Sequence, residues 1–453
     1  MLKKSIHFNP VVALAWFAGL MLSPNALALL GNLAGMHQGY LGVWLLLGAC
    51  AYVLNLRSYR ALIGRPGSQA DLSASYRNAW GDLPALLIPL SGRLVTTLVA
   101  TTGLLVTAGF VFNEVFIYWF PNFAFAFILL GFLMAIQLFG PPVVGIFQVG
   151  FSTIALAGLI FLSIWGLAAT PADLASKADG GGFFDFRTIF LTLWLWIGFD
   201  LIYDNTRPAP RDPGRPYKYI LGGLVAVTLV FGLWGYVSLQ YVEAGRLAGS
   251  TIAHTLAARK ILGQSGRIVI GLVAIAGTCA AVNALFTSIS RMMRSYACQG
   301  MIPSPGGILH KRPAVTVLLA GLAVAALMAG GAAGTDAIDT FLRAGLLLWM
   351  LNYAVVHLTV LKMNTAVRSS ASAGAFWEPA AGAAIMLTGA AVLLFTDPDQ
   401  RTLLVFLFFS VGFLSLLGLM GQKVNRSPMT RLQAVRRSQQ KRQNTDSTPG
   451  GYS

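Results

Sequence analysis

The sequence predicts an all-α integral membrane protein with about twelve transmembrane helices, at roughly 20 apolar residues per bilayer crossing. Three observations predict it. Of the 453 residues, 56% are hydrophobic and only 11% are charged, less than half the roughly 25% charge of a soluble domain. With a mean hydropathy of +0.68, that composition excludes an ordinary soluble enzyme and a disordered chain alike. Apolar stretches of crossing length alternate with charged or Pro/Gly-rich breaks, and the basic residues gather on every second break.

In chain order the stretches fall at 10–33, 40–56, 84–112, 123–139, 142–168, 187–204, 218–240, 267–290, 314–332, 339–361, 376–396 and 402–421. The first is too long for a signal peptide and shows no small-residue cleavage motif. With the N-terminus inside, the cytoplasmic segments collect most of the 32 basic residues. These include Lys3, Lys4, Arg57, Arg60, Arg65 and Arg77, the group Arg207 to Lys218, Arg291 to Arg312, Lys362, Arg368 and a tail from Lys423 to Arg442. The opposite loops hold only Lys177, Arg187, Arg246, Arg259, Lys260, Arg267 and Arg401. Positive charge marks cytoplasmic loops, so the pattern predicts a multi-pass protein of the cell membrane with both termini cytoplasmic. The formal net charge of +16 is then orientation and tail, not a nucleic-acid footprint. The tail after residue 422 is polar and basic, and predicts a disordered segment.

Cys50, Cys279 and Cys298 form no CxxC pair, and five scattered histidines form no ligand cluster. No GxxxxGK[ST] motif is visible. No cofactor is expected, and energy for any transport would come from a gradient or from exchange.

Two spans carry interruptions. In lipid every backbone N–H and C=O needs a partner, so a break in a spanning helix calls for a reason. The first span contains Ser23-Pro24-Asn25, where Pro24 cannot donate a backbone bond. Ser23 and Asn25 can satisfy the freed groups or face a ligand, and a simple packing kink is the competing reading. The sixth contains Trp194-Leu195-Trp196-Ile197-Gly198-Phe199-Asp200. An ionisable residue at membrane depth is a functional candidate by default, although Asp200 near a helix end can also reach water. Paired discontinuous helices in corresponding positions of two halves point to the central site of a secondary transporter.

Among the other intramembrane charges, Arg93 is expected to snorkel to the cytoplasmic interface and Glu114 to meet outer water. Arg343 is a candidate outer gate, partnered by Asp339 or Glu114.

The stretch from Asn283 to Pro303, with Ser290-Arg291, Ala297 and Gly300-Met301-Ile302-Pro303, resembles the eighth span of the amino acid–polyamine–organocation (APC) permease superfamily. Gly198-Phe199-Asp200, the basic Pro-containing loop Arg207 to Pro216 and Asn352-Tyr353 fit the same pattern. The resemblance implies a LeuT-like 5+5 inverted repeat with two extra C-terminal helices. Its parts would be a cytoplasmic N-terminus (1–9), a first repeat (10–168), a second repeat (187–361), a helix pair (376–421) and a basic cytoplasmic tail (422–453). It also implies a substrate at the midplane between spans one, three, six and eight. The substrate-binding candidates are Ser23, Asn25, Trp194, Gly198, Asp200 and Asn283. Asp200, Trp194 and Arg343 are the gate or coupling candidates. Trp194 is similar in position to the gating tryptophan of arginine/agmatine-type exchangers, where an aromatic can stack on a cation; an interfacial anchor is the competing role. Thr287 and Ser288 could ligate Na⁺ with span-one carbonyls, although hydroxyls in membrane helices more often bond back to their own turn.

The sequence departs from the family in three places. Ser23-Pro24-Asn25 stands where members usually carry Gly-x-Gly, a bare backbone that cradles a carboxylate. The segment Phe151 to Ala155 lacks the membrane Lys of several proton-coupled members, and an acidic pair is reduced to Asp204-Asn205. The expected function is a secondary transporter of amino acids or related amines or polyamines, working by alternating access with H⁺, Na⁺ or exchange. The small-molecule substrate and the lipid bilayer are the expected partners, with no nucleic acid and no enzymatic activity. The alternatives are a transporter of another twelve-helix superfamily or a transport-inactive membrane sensor or accessory protein.

Overall fold

The computed structural model describes residues 9–63, 72–169, 186–205, 214–302, 304, 307–331, 336–366 and 374–420. Lys3, Lys4, Arg65, Lys177, Arg207, Arg211, Pro303, Arg368 and the tail from Lys423 lie outside the described residues. All regular structure among the described residues is helical.

The first span is two helices, α1 (Pro10–Ala18) and α2 (Pro24–His37). Asn9 caps α1 by accepting from the amides of Val11 and Val12, and Pro10 enters at the first turn, where no amide bond is lost. The chain leaves the helix after Ala18 and re-enters at Pro24, with Ser23 as the cap of α2 accepting from the Ala26 amide at 3.4 Å. Pro24 therefore starts a second helix, and the packing-kink reading is corrected to a true break. A 3₁₀ turn at Gln38–Tyr40 leads to α3 (Leu41–Ile63).

After the short α4 (Leu72–Trp80) come α5 (Asp82–Val115), α6 (Asn122–Leu138) and α7 (Pro141–Ala168). The sixth span is broken like the first. A helix α8 (Phe186–Leu191) tightens into a 3₁₀ piece at Thr192–Trp196, turns through Ile197–Asp200 and resumes as α9 (Leu201–Asn205). Next are α10 (Gly214–Tyr241), a surface turn α11 (Ala244–Ala248) and α12 (Ala253–Cys298). Non-helical angles at Leu262 and Gly263 split α12 into a short entry helix and the spanning part. The chain ends with α13 (Ile308–Lys311), α14 (Ala314–Ala329), α15 (Asp336–Ala366), α16 (Gly374–Phe395) and α17 (Gln400–Met420).

Nine segments of the described residues are long and apolar enough to cross a membrane, and Asn122–Leu138 and Ala314–Ala329 are shorter apolar helices. One of the nine, Pro24–Ile63, contains two helices, and with the two shorter apolar helices this agrees with the expected count of about twelve crossings.

The spanning part of α12 is the axis of the bundle. Every residue from Ala276 to Ser290 is buried, and a helix apolar on all sides belongs at the centre of a membrane protein. Gly277 lets α12 lie against the break in span one, because a Cβ there would stand 2.1 Å from the Leu22 carbonyl oxygen. Small residues at such contacts let two backbones approach. At the other extreme, α17 turns Phe408, Phe409, Phe413 and Leu416 outward, as a lipid-facing helix does. The ends of neighbouring spans are tied by ion pairs: Arg57 with Glu378, Arg77 with Asp82, and Arg267 with Glu114.

Candidate functional site

The two breaks meet. Gly198, in the turn of span six, has φ +100° and lies so close to Leu20 in the turn of span one that a Cβ would come within 2.9 Å of the Leu20 Cβ. Only glycine adopts that conformation without strain and leaves the space. The Gly198 amide, freed from any helix, donates to the Tyr353 hydroxyl at 3.2 Å. Tyr52 on α3 donates to the Leu193 carbonyl at 2.8 Å, which fixes the 3₁₀ piece from the other side.

Two residues beyond Gly198 stands Asp200, 2% exposed. Its carboxylate is paired with the Arg93 guanidinium of α5 at 2.6 Å, and Arg93 is itself 4% exposed. Three more donors reach the same carboxylate. Tyr353 donates at 2.9 Å, Tyr59 at 3.1 Å, and the Trp349 indole at 3.3 Å to both oxygens. The guanidinium lies over the Trp349 ring, 4.1 Å from its centroid. Tyr59 stacks on Tyr203 at 5.6 Å and packs edge-on against Phe199. The site is a buried ion pair in an aromatic cage drawn from α3, α5, the span-six break and α15.

Arg93 overturns an expectation. It does not snorkel to an interface: it sits 11 residues into α5, about 16 Å along the axis at 1.5 Å per residue, and turns inward to Asp200. The helix face on which it lies packs against α15, and its charge takes the Asp200 carboxylate.

A cavity of about 40 Å³ reaches this pair. It is bounded by Tyr76, Tyr203, Tyr296 and Asn352, and leads past Leu72 and Ser73. That is room for a few waters at most, so the site is nearly closed.

The other candidates fall in different places. Ser23 is buried as the cap of α2, and Asn25 beside it is half-buried. Trp194 is half-buried on the 3₁₀ piece, its indole nitrogen 3.2 Å from the Met350 sulfur, while Trp196 two residues later is fully buried. Asn283 belongs to a polar network separate from the Asp200 cage. Its amide donates to Gln148 at 2.9 Å, and its Oδ1 accepts from Gln137 at 2.8 Å. Gln148 and Ser152 donate in turn to the Ala15 carbonyl at the end of α1. Thr287 bonds back to the Asn283 carbonyl at 2.8 Å and lies beside Gln137; Ser288 is buried next to it. Arg343 pairs with Asp397 at 2.8 Å and Asp399 at 2.9 Å. It does not take Glu114, which bonds Arg267. Asp397 and Asp399 both come from the loop between α16 and α17.

The sequence pattern does not single out Tyr59, Trp349 or Arg93 as cage residues, and it marks Tyr353 only by its fit to the family. Trp349 and Tyr353 lie one turn apart, and Tyr52 and Tyr59 two turns apart. Aromatic hydroxyl and indole groups repeated on one face of a membrane helix were the available signal, because such donors need partners when buried.

An all-α membrane bundle whose first and sixth spans break side by side around a buried ion pair is the architecture of a secondary transporter. The chain belongs to the amino acid permease family, whose model matches residues 8–420. Among solved structures it is similar to Mhp1, a nucleobase-cation-symport-1 family transporter in a closed conformation with bromovinylhydantoin bound. The two share 15% identity over 91% of this chain and 93% of that one, with a TM-score of 0.58; the likeness is one of fold. No curated protein sequence matches the chain. The protein is a multi-pass secondary transporter of the LeuT-like fold class.

Proposed function

We propose that this permease carries an amino acid or a related amine across the cell membrane by alternating access, with the substrate held where spans one and six break. The contact of Gly198 with Leu20, two residues from a buried carboxylate, is the observation that carries the reading. Unwound segments free backbone groups at membrane depth, and such groups are tolerated where they line a substrate path.

Gly198 and Asp200 are the residues with most support for substrate contact, and Asn25 lies in the first turn of α2, just after the span-one break. Ser23 and Asn283 support the site by holding backbone and helices: one caps α2, the other joins α12 to α6 and α7. Trp194, resting on α15 through Met350, is placed to move with that helix as a gate. Arg343 has more support as a clamp between α15 and the α16–α17 loop than as a gate. Thr287 and the Ala15 carbonyl are already engaged by neutral neighbours, which favours exchange or proton coupling over a Na⁺ site at Thr287 and Ser288. Repeats at 10–168 and 187–361 account for breaks in both first helices, and the charge asymmetry supports cytoplasmic termini.

The test is radiolabelled uptake into proteoliposomes from a pool of amino acids and amines. It is run with and without an inward pH gradient, and with and without internal counter-substrate. Saturable uptake that Asp200→Asn abolishes is the expected result. No uptake in any arm by folded protein overturns the reading.

A further inference from the structure

A second cavity, of about 480 Å³, lies away from the two breaks. It is walled by Glu114 at the end of α5, Arg246 of α11, Ser250 in the loop that follows, Thr255 and Arg259 of the entry helix of α12, and Arg267 at the start of its spanning part. These charges do not balance. Arg267 is held by Glu114, 2.9 Å from its carboxylate and 2.8 Å from its carbonyl oxygen. Among the described residues no carboxylate pairs with Arg246 or Arg259, and both are exposed. Two guanidinium groups therefore face one cavity without a counter-charge.

Exposed arginines are ordinary on a cytoplasmic loop, but the charge pattern places these on the other side. Of the seven basic residues it leaves there, four fall between Arg246 and Arg267, where they oppose the rule that orients the chain. Three of those four line this cavity. Thr255 and Arg259 stand one turn apart on one face of the entry helix, and the non-helical angles at Leu262 and Gly263 free Arg267 from that helix's register. Deeper into the span the surface turns apolar. Phe110 lies one turn below Glu114 on the same face of α5, and Ile268 and Leu272 follow Arg267 on α12; all three are exposed. The two helices lie side by side here, since a Cβ on Gly271 would stand 3.1 Å from the Val115 side chain and 3.2 Å from that of Phe116.

We infer that this cavity binds the phosphate of a phospholipid headgroup in the non-cytoplasmic leaflet, with Arg246 and Arg259 as its receptors and the acyl chains lying over Phe110, Ile268 and Leu272. A guanidinium presents paired N–H donors that match phosphate oxygens, and Ser250 and Thr255 add hydroxyl groups at the wall. Two observations favour a lipid over a free anion. The cavity has the volume of a site for an organic molecule, more than a bare inorganic ion fills. The order of basic cavity above apolar surface along α5 and α12 is the order of headgroup and chains in a phospholipid. A bound headgroup would tie α11 and the entry helix, which pack on α2 at Gly31 and Gly35, to the ends of α5 and α12. The choice of leaflet rests on the cytoplasmic placing of the termini; the site itself does not depend on which solute is carried.

The test is saturable retention of radiolabelled phosphatidylglycerol by the full-length protein in mild detergent. Wild type is expected to bind it, and to bind diacylglycerol with the same chains at least about tenfold more weakly, the loss expected when charge-assisted hydrogen bonds go unmade. Arg246→Gln with Arg259→Gln, both at the surface, should melt as wild type does and lose at least about tenfold in lipid affinity on the same ground. Lys260→Gln with Arg401→Gln removes the same charge from the same end of the bundle but outside the cavity, and should leave affinity within about twofold of wild type. Absence of saturable binding to folded wild type overturns the proposal, and so does diacylglycerol binding as well as phosphatidylglycerol. Equal losses in the two paired variants would reduce the effect to general charge and overturn it too. Inorganic phosphate that competes as well as the lipid would make this a free-anion site and overturn the lipid assignment. None of these outcomes touches the permease reading, which stands or falls on uptake.

Discussion

Replacing Arg93 with Gln leaves the Asp200 carboxylate buried without its cation. The pair is 2.6 Å apart between groups that are 4% and 2% exposed. Breaking such a pair from one side costs about 3–5 kcal/mol, because the remaining charge cannot recover its hydration. The three donors from Tyr59, Trp349 and Tyr353 stay with the carboxylate and place the cost near 3 kcal/mol. Losing the guanidinium from the Trp349 face adds about 1 kcal/mol. Asp200→Asn, which strands the guanidinium, falls in the same range of about 3–5 kcal/mol. In the double variant no charge remains, and an amide faces an amide in the same cage. Replacing both members of a buried pair by neutral groups is often close to neutral, so the double variant should lie within about 2 kcal/mol of wild type, well short of the sum of the singles. Reversible SDS-induced unfolding in mixed micelles, followed by tryptophan fluorescence, gives the four free energies of the cycle. A coupling of at least about 2 kcal/mol is expected; one within about 0.5 kcal/mol of zero is the additivity of independent sites and would refute the pair as described.

Two other outcomes follow from the packing. Gly277→Ala places a methyl 2.1 Å from the Leu22 carbonyl oxygen, which must drive α12 from the span-one break; overpacking of this kind costs about 1–3 kcal/mol, and uptake should fall further than the melting temperature alone explains. Arg343→Ala strips the cation from Asp397, which is buried, and from the more exposed Asp399; a thermal melt should register a loss of about 1–3 kcal/mol, while uptake per folded molecule stays near wild type, and a selective loss of uptake would restore a gate role.

The spans and the two breaks were legible because their causes are local. Hydropathy over some 20 residues decides what enters lipid, and a proline between Ser and Asn, or a glycine before an acid, interrupts a helix wherever it lies. Asp200 was legible for the same reason, being an isolated acid in an apolar run. What surrounds it was not. Arg93 lies 107 positions away and, read alone, resembles any arginine near the start of a membrane helix. Arg343 pairs with Asp397 and Asp399 in the loop after α16, two acids that lie more than 50 positions away and that no local pattern ties to it. Gln137 and Gln148 are unremarkable in sequence and join Asn283 in one network only when α6, α7 and α12 pack.

The sequence by itself determined that this chain lives in lipid, how many times it crosses, and where two of its helices must stop and restart, because water-free surroundings make composition and backbone bonding decisive residue by residue. Only the tertiary structure decided that Asp200 is answered by Arg93 inside a cage of Tyr59, Trp349 and Tyr353. The rotation of each helix about its own axis selects which face turns inward, and that is set by packing among helices far apart in the chain.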